Sequence, residues 1–150
     1  MKVRVIGSLF MLLLLSCLSG CGKPSFYSVK GVVKVDGKPA HHVKVAMFPD
    51  VAEFKPDSHG FGFGMTDANG EYEIQHPTGD KGLYAGTYKV TLVLWVDGRG
   101  KPIPPDAKPS EVPGGVKNKI PAKYESLADT PERVTVPYGG TTRDFDISTK

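Results

Sequence analysis

The chain has 150 residues, a formal net charge of +3, 18 glycines and 13 prolines. This length suffices for one domain with a hydrophobic core but not comfortably for two. A charge so close to neutral gives no reason to expect nucleic-acid binding. Abundant glycine and proline, without long stretches of helical period, favour many short strands joined by turns.

The first 21 residues have the layout of an exported, lipidated protein. Lys2 and Arg4 precede an apolar run at 9–15, which is too short for a membrane span of about 20 residues. Residues 18–21, Leu-Ser-Gly-Cys, resemble the bacterial lipobox, whose cysteine receives a diacylglyceryl group. We therefore expect lipid on Cys21; the alternative is an ordinary cleaved signal with a cysteine nearby by chance.

These features predict three segments: a signal peptide at 1–20, a lipidated tether at 21–28 and one domain at 29–150. Cys17 would leave with the signal and Cys21 would carry the lipid, so no disulfide is expected although export permits one. Loss of the two basic residues of the signal lowers the formal charge from +3 to about +1.

The first half of the domain alternates apolar and polar residues with the period of two that half-buried strands show. A strand is predicted at 29–35, and Asp36-Gly37 after it favours a tight hairpin turn. Further strands are predicted at 43–47 and 61–66, separated by an irregular loop.

A turn with a sequence signature follows the third strand. Asp67 can accept a backbone hydrogen bond, and Gly70 can take the left-handed position that completes a type I turn. The next strand is predicted to turn Tyr72 and Ile74 inward.

The strongest predicted strand is 86–96, where the even-numbered residues from Tyr88 onward share one apolar face. On the other face, Val93 and Trp95 predict that the last half of the strand is covered on both sides. The proline-rich insertion at about 97–130 has no sustained periodicity, and insertions of this length are usually functional or mobile.

We expect this insertion to cover Trp95 with Ile120, Tyr124 and Leu127. Two closing strands are predicted at 133–136 and 142–148. The second would point Phe145 and Ile147 inward. Together these patterns predict an all-β fold, a single antiparallel β-sandwich of about seven strands.

Seven segments appear in an order and spacing typical of one family. They are 32–39 (Val-Val-Lys-Val-Asp-Gly-Lys-Pro), 43–45 (Val-Lys-Val), 66–72 (Thr-Asp-Ala-Asn-Gly-Glu-Tyr), 82–90 (Gly-Leu-Tyr-Ala-Gly-Thr-Tyr-Lys-Val), 120–124 (Ile-Pro-Ala-Lys-Tyr), 134–136 (Val-Thr-Val) and 145–147 (Phe-Asp-Ile). The chain resembles a carboxypeptidase regulatory-like domain, a transthyretin-like β-sandwich, and in particular the short bacterial envelope lipoproteins built of little else. The resemblance implies a non-catalytic accessory module.

The candidate metal sites have simpler interpretations. Asp67, Asn69 and Glu71 alternate oxygens as a calcium loop does, but the turn already explains them and further carboxylates are lacking. A zinc site needs three or four ligands in a tetrahedral arrangement, and the histidines show no such spacing. We expect solvated loop histidines, with at most one of an adjacent strand pair facing any site; the four are His41, His42, His59 and His76.

No catalytic residue, metal or cofactor is predicted. The chain ends Ile-Ser-Thr-Lys at 147–150, without the Tyr-Arg-Gly-Ser of the transthyretin-related hydroxyisourate hydrolases. Asp144 and Asp146, one strand period apart, are interpreted as the wet face of an edge strand. A nucleophile elbow and phosphate- or dinucleotide-binding motifs are missing from the sequence.

The predicted function is a lipid-anchored envelope module that binds another envelope protein or lends structural support, through an edge strand or the proline-rich loop. Carbohydrate binding is the alternative, with rings of Phe61, Phe63, Trp95 and Tyr124 stacking on sugars. We expect instead that Trp95 and Tyr124 pack together and that Phe61 or Phe63 lies in the core. An exposed aromatic patch would favour glycans. Gly22, in place of an aspartate, favours the outer over the inner membrane.

Overall fold

The computed structural model describes residues 25–150, which form an all-β domain. The predicted signal peptide, Cys17 and Cys21 lie outside the described residues. Eleven strands occur within 25–150: β1 (Val29–Val35), β2 (Lys38–Pro39), β3 (Lys44–Pro49), β4 (Gly62–Met65), β5 (Glu71–Glu73), β6 (Gly86–Val93), β7 (Trp95–Val96), β8 (Lys117–Asn118), β9 (Arg133–Val136), β10 (Thr141–Thr142) and β11 (Phe145–Ile147). Two short 3-10 helices, Pro109–Glu111 and Ala122–Tyr124, interrupt the strands, and no helix in this range is long and apolar enough to cross a bilayer.

Two main sheets face each other. In the first, β1 is central, with β5 and β2 antiparallel along one side and β10 and β11 parallel along the other. The second sheet is wholly antiparallel, in the order β4-β3-β6-β9. A small third sheet pairs β7 with β8. The fold is therefore a β-sandwich, as the sequence predicts.

The core lies between the two main sheets and follows the predicted alternation. Along β1, Val29, Val33 and Val35 are buried, and the inward face that β6 begins at Tyr88 continues through Leu94 to Val96. Phe145 and Ile147 close the core from β11. Each fully buried aliphatic side chain contributes about 1.5–3 kcal/mol, so these faces hold the sandwich together.

The strands of three or more residues number seven, as expected, but the pairing is not antiparallel throughout. Four of the eleven are two-residue strands, β2, β7, β8 and β10, which are too short to show any periodicity. The closing strand expected at 142–148 is split between β10 and β11, and both run parallel to β1. The Asp36-Gly37 turn is confirmed: its φ values of 53° and 77° belong to the tight hairpin that joins β1 to β2.

The proline-rich segment 97–130 is tied to the sandwich rather than loose. The Lys119 N–H donates to the Leu94 carbonyl at 2.8 Å, and the Ile103 N–H donates to the Trp95 carbonyl at 2.9 Å. Ile120 is buried in the core, and the buried hydroxyl of Thr130 donates to the Val90 carbonyl at 2.5 Å.

Strand register gives the sandwich two distinct ends, separated by β6, whose eight residues span roughly 26 Å. At the tether end, Tyr27 bridges to Leu83 and Gly86 pairs with Val136. At the opposite end, called the cleft end because the cleft described below lies there, Lys44 pairs with both Met65 and Val93. The proline-rich segment begins just beyond the cleft end.

Candidate binding cleft

An open cleft of about 650 Å³ lies at the cleft end, between the outer face of the second sheet and the proline-rich segment. Its lining is mostly apolar: His42, Lys44, Met65, Trp95, Ile103, Pro104, Pro105, Ala107, Pro109, Val112 and Val116. Volumes of this size and linings of this kind are typical of ligand and peptide sites.

The wall of the cleft is shaped by local hydrogen bonds. The Asp97 carboxylate accepts from the N–H groups of Arg99 and Lys101 at 2.8 and 2.9 Å, which turns the chain back beside β7. These bonds, the Lys101 contact first, hold the pKa of Asp97 below its usual value. Farther along, Gly98 and Gly114 approach so closely that a Cβ on Gly98 would lie 3.0 Å from the Gly114 Cα. The proline-rich segment is thereby fixed as a wall.

Trp95 is 45% exposed, which corrects the prediction that it is covered on both sides. Its neighbours Leu94 and Val96 point into the core, so the indole points out of the second sheet. Ile120 and Tyr124 pack against the core instead of covering the indole, and Leu127 is 40% exposed. The residues at 103–116 flank the ring without closing over it.

Phe61 and Phe63 are 43% and 44% exposed, so neither lies in the core, contrary to expectation. The reason lies in the glycines that alternate with them. A Cβ on Gly62 would lie 2.7 Å from the Gln75 carbonyl oxygen, and one on Gly64 would lie 2.5 Å from that of Glu73. Only glycine fits the inward positions of β4, and the phenylalanines therefore face outward.

The two phenylalanines lie on the outer face of the second sheet, and Trp95 lines the cleft beside Lys44 and Met65 of the same face. Phe61 stacks on Phe48 with ring centroids 5.8 Å apart, and the Lys44 ammonium lies 5.5 Å from the centre of the Phe63 ring. Tyr124, the fourth residue considered for stacking, is partly buried against the core under the Lys123 ammonium and does not line the cleft. The glycine alternation was the sequence signal for this aromatic face.

The adjacent histidines occupy a turn and not a strand, which corrects their predicted opposite faces. His42 has a φ of 63°, and the two imidazoles of His41 and His42 stack with centroids 3.6 Å apart. His59 accepts from the Lys55 N–H at 2.9 Å, while His76 contacts the Thr78 hydroxyl at 2.8 Å. Within residues 25–150, no three His, Cys, Asp or Glu side chains converge as a metal site would require.

Both groups of acidic residues accept hydrogen bonds from backbone N–H groups. Asp67 accepts from the N–H groups of Asn69 and Glu71 at 2.8 and 2.9 Å, which confirms its predicted role in the turn. Asp144 and Asp146 are exposed, but they are not merely a wet face. Asp144 accepts from the Val32 N–H at 2.8 Å, and Asp146 accepts from the Gly37 N–H at 3.2 Å.

The pKa of His42 predicts a loss of stability in mild acid. Burial first, and then the neighbouring His41, lower this pKa below 6.5, although Asp106 partly opposes them. The folded state thus binds a proton less readily than the unfolded state, so the contribution of His42 is complete above pH 6.5 and declines as pH falls through the lowered folded value.

We expect His42→Asn, which tolerates the positive φ, to lose less unfolding free energy between neutral pH and about pH 5 than the native chain does. Urea unfolding at the two pH values measures the difference. Equal acid sensitivity of the two proteins would contradict the role given to His42.

Comparison with known proteins assigns no family to the chain. No family model matches it, and no curated protein matches it. Among solved structures, it is similar to a 9R-lipoxygenase from Cyanothece, at 17% identity and a TM-score of 0.33. The match covers 82% of this chain but only 16% of that one, so the chain spans a small part of the length of the lipoxygenase.

Proposed function

We propose that the chain is a lipid-anchored, non-catalytic module of the cell envelope that binds an envelope protein through the cleft. The lipobox-like residues 18–21 support the anchor, and Gly22 supports the outer membrane as its place. The ordered motifs of the domain support a carboxypeptidase regulatory-like, transthyretin-like type. The β-sandwich is compatible with that type.

The observation that carries the binding role is the half-exposed Trp95 in an open apolar cleft. A tryptophan flanked by prolines offers a large rigid surface, and such aromatic anchors dominate protein interfaces. The proline-rich wall is held in place by backbone bonds, so little ordering is needed when a partner binds. We expect the partner to insert an extended apolar segment beside the indole.

The chemistry of the lining favours binding over catalysis. Its titratable side chains are His42 and Lys44, and the remaining lining residues are apolar. Nucleophilic catalysis by a hydroxyl or a thiol needs that group within hydrogen-bond reach of a base. The lining residues of the cleft do not include a serine, threonine or cysteine.

In-cell crosslinking with mass spectrometry, applied to the membrane-anchored protein, tests this role. Trp95→Ala is expected to lower the yield of the specific crosslink about tenfold or more, since a tryptophan anchor contributes on the order of 2 kcal/mol. Leu127→Ala is the control, because Leu127 is similarly exposed but lies outside the cleft lining. Cys21→Ser should remove or change the partner by releasing the protein from the membrane. Identical crosslinks in native and Trp95→Ala protein would contradict the proposal.

Carbohydrate binding is the second candidate, favoured by the exposure of Phe61, Phe63 and Trp95 on one outer face. The chain has one tryptophan, so its fluorescence reports the cleft directly. A saturable fluorescence change with one member of a glycan panel, lost in Phe63→Ala, would support sugar stacking. Flat titrations across the panel would leave the protein partner as the proposal.

A further inference from the structure

Aromatic side chains cluster at the tether end, around the first described residues. The Phe26 ring stacks on that of Tyr84 with centroids 4.5 Å apart and an interplanar angle of 23°, and it lies 4.8 Å from the His76 ring. The Tyr27 ring meets that of Tyr138 edge-on at 5.6 Å. This group is distant from the cleft, since β6 separates the two ends.

Tyr138 is 86% exposed, at the tip of the turn between β9 and β10. The turn is held against the start of the domain, because the Thr141 N–H donates to the Ser28 carbonyl at 2.8 Å. Gly140 approaches that segment so closely that a Cβ would lie 2.5 Å from the Ser28 carbonyl oxygen. The fold thus presents a large aromatic side chain outward on an anchored turn.

A second exposed ring leaves the sandwich at the same end. The loop after β3 begins at Asp50, whose N–H donates to the Thr87 carbonyl at 2.8 Å, and it carries Phe54, which is 53% exposed. Asp50 is ion-paired with Arg133 at 2.8 Å and lies 3.8 Å from the Lys89 ammonium. The negative charge of Asp50 is therefore balanced by these two cations, which reduces its repulsion from an anionic membrane surface.

The short segment between Cys21 and Ser25 limits how far the aromatic rings can lie from a membrane that holds Cys21. Cys21 precedes Ser25 by four residues, and an extended chain advances at most about 3.5 Å per residue, so the two lie within about 14 Å. An acylated Cys21 would therefore bring the tether end to the headgroup layer, where tyrosine and tryptophan are enriched.

We propose that the tether end is a membrane-docking face, in which Tyr138, Phe54 and the rings around Phe26 enter the interfacial layer of the bilayer that holds Cys21. This inference rests on the proposed lipid anchor. It assigns the module an orientation: the tether end lies on the membrane and the cleft end points away from it.

The test uses the mature lipidated chain in phosphatidylcholine and phosphatidylglycerol vesicles that carry brominated acyl chains, which quench nearby tryptophan. In the native chain, Trp95 reports the cleft end. The double variant Trp95→Phe, Tyr138→Trp moves the single tryptophan to the tether end. Because Tyr138 is so exposed, we expect the variant to fold; Phe54→Trp in the same background gives a second reporter if it does not.

We expect fluorescence several-fold lower in brominated than in ordinary vesicles for the Tyr138→Trp reporter, and little change for native Trp95. Vesicle sedimentation measures the anchor separately. Protein that sediments without quenching at position 138, or with equal quenching at both positions, would overturn the docking face and leave the anchor standing. Protein that fails to sediment would overturn the anchor and the docking face together.

Discussion

Gly31→Ala is expected to prevent folding or to lower the free energy of unfolding by more than about 4 kcal/mol, a loss that only severe core or backbone conflicts produce. Gly31 lies in the middle of β1, and a Cβ there would overlap the carbonyl oxygen of Arg143. Backbone occupies that space, so no side-chain rotation relieves the overlap.

The Arg143 carbonyl cannot move away cheaply, because it accepts a hydrogen bond from the Tyr72 hydroxyl at 2.6 Å. Burial first, and then the nearby Asp144 carboxylate, raise the pKa of Tyr72, so its hydroxyl stays protonated and keeps donating. The carboxylate of Asp144, the next residue, accepts from the N–H of Val32, which follows Gly31 on β1. Displacing this segment would break both bonds at once.

Urea unfolding followed by circular dichroism measures the effect of Gly31→Ala. Gly37→Ala is the matched control: its φ is 77°, but an added Cβ there meets nothing within 4 Å. The control should lose only about 1–2 kcal/mol, the cost of a left-handed alanine. Gly31 does not have a positive φ, so equal losses in the two variants would show that the Arg143 carbonyl moves aside at little cost, and would contradict the argument.

Thr66→Val is expected to lower the free energy of unfolding by about 3 kcal/mol. Thr66 is 2% exposed, and its hydroxyl accepts from the Val43 N–H at 2.8 Å and donates to the Ala40 carbonyl at 2.6 Å. Valine has nearly the same shape but bonds to neither group. Two buried backbone groups would be left without partners, at a cost of about 1–3 kcal/mol each.

Thr66→Ser separates the hydrogen bonds from the volume of the side chain. Serine keeps the hydroxyl and loses one methyl group, so we expect a loss of only about 1 kcal/mol. Both variants are measured by urea unfolding. Valine keeps the methyl group and loses only the hydroxyl, so a loss in Thr66→Val no larger than that in Thr66→Ser would contradict the role given to the hydroxyl.

Alternation in the sequence predicted which side chains form the core, because a period of two places every second residue on one face. It succeeded for Tyr72, Ile74, the inward face of β6, and Phe145 with Ile147. The Asp36-Gly37 turn was also predictable, since few residue pairs accept two positive φ angles.

Alternation does not tell whether the opposite face is covered, and the errors occurred there. The apolar residues Val93 and Trp95 predicted that other residues cover both faces of the strand there. The proline-rich segment instead lies beside the indole and leaves it partly exposed to solvent. The outward turn of Phe61 and Phe63 follows from glycines that only the approach of the next strand makes necessary. Likewise, the bond from Val32 to Asp144 joins residues 112 positions apart, which no local pattern reveals.

The parallel pairing of β1 with β10 and β11 also has a consequence for the order in which the domain can assemble. β1 completes its sheet only with residues 141–147, which are synthesised after all the other strands of the sandwich. Closing so large a loop delays folding, because its entropy must be lost before the contacts form. A growing chain therefore cannot finish the sandwich early, and a chain shortened before residue 141 should leave one side of β1 without a neighbouring strand.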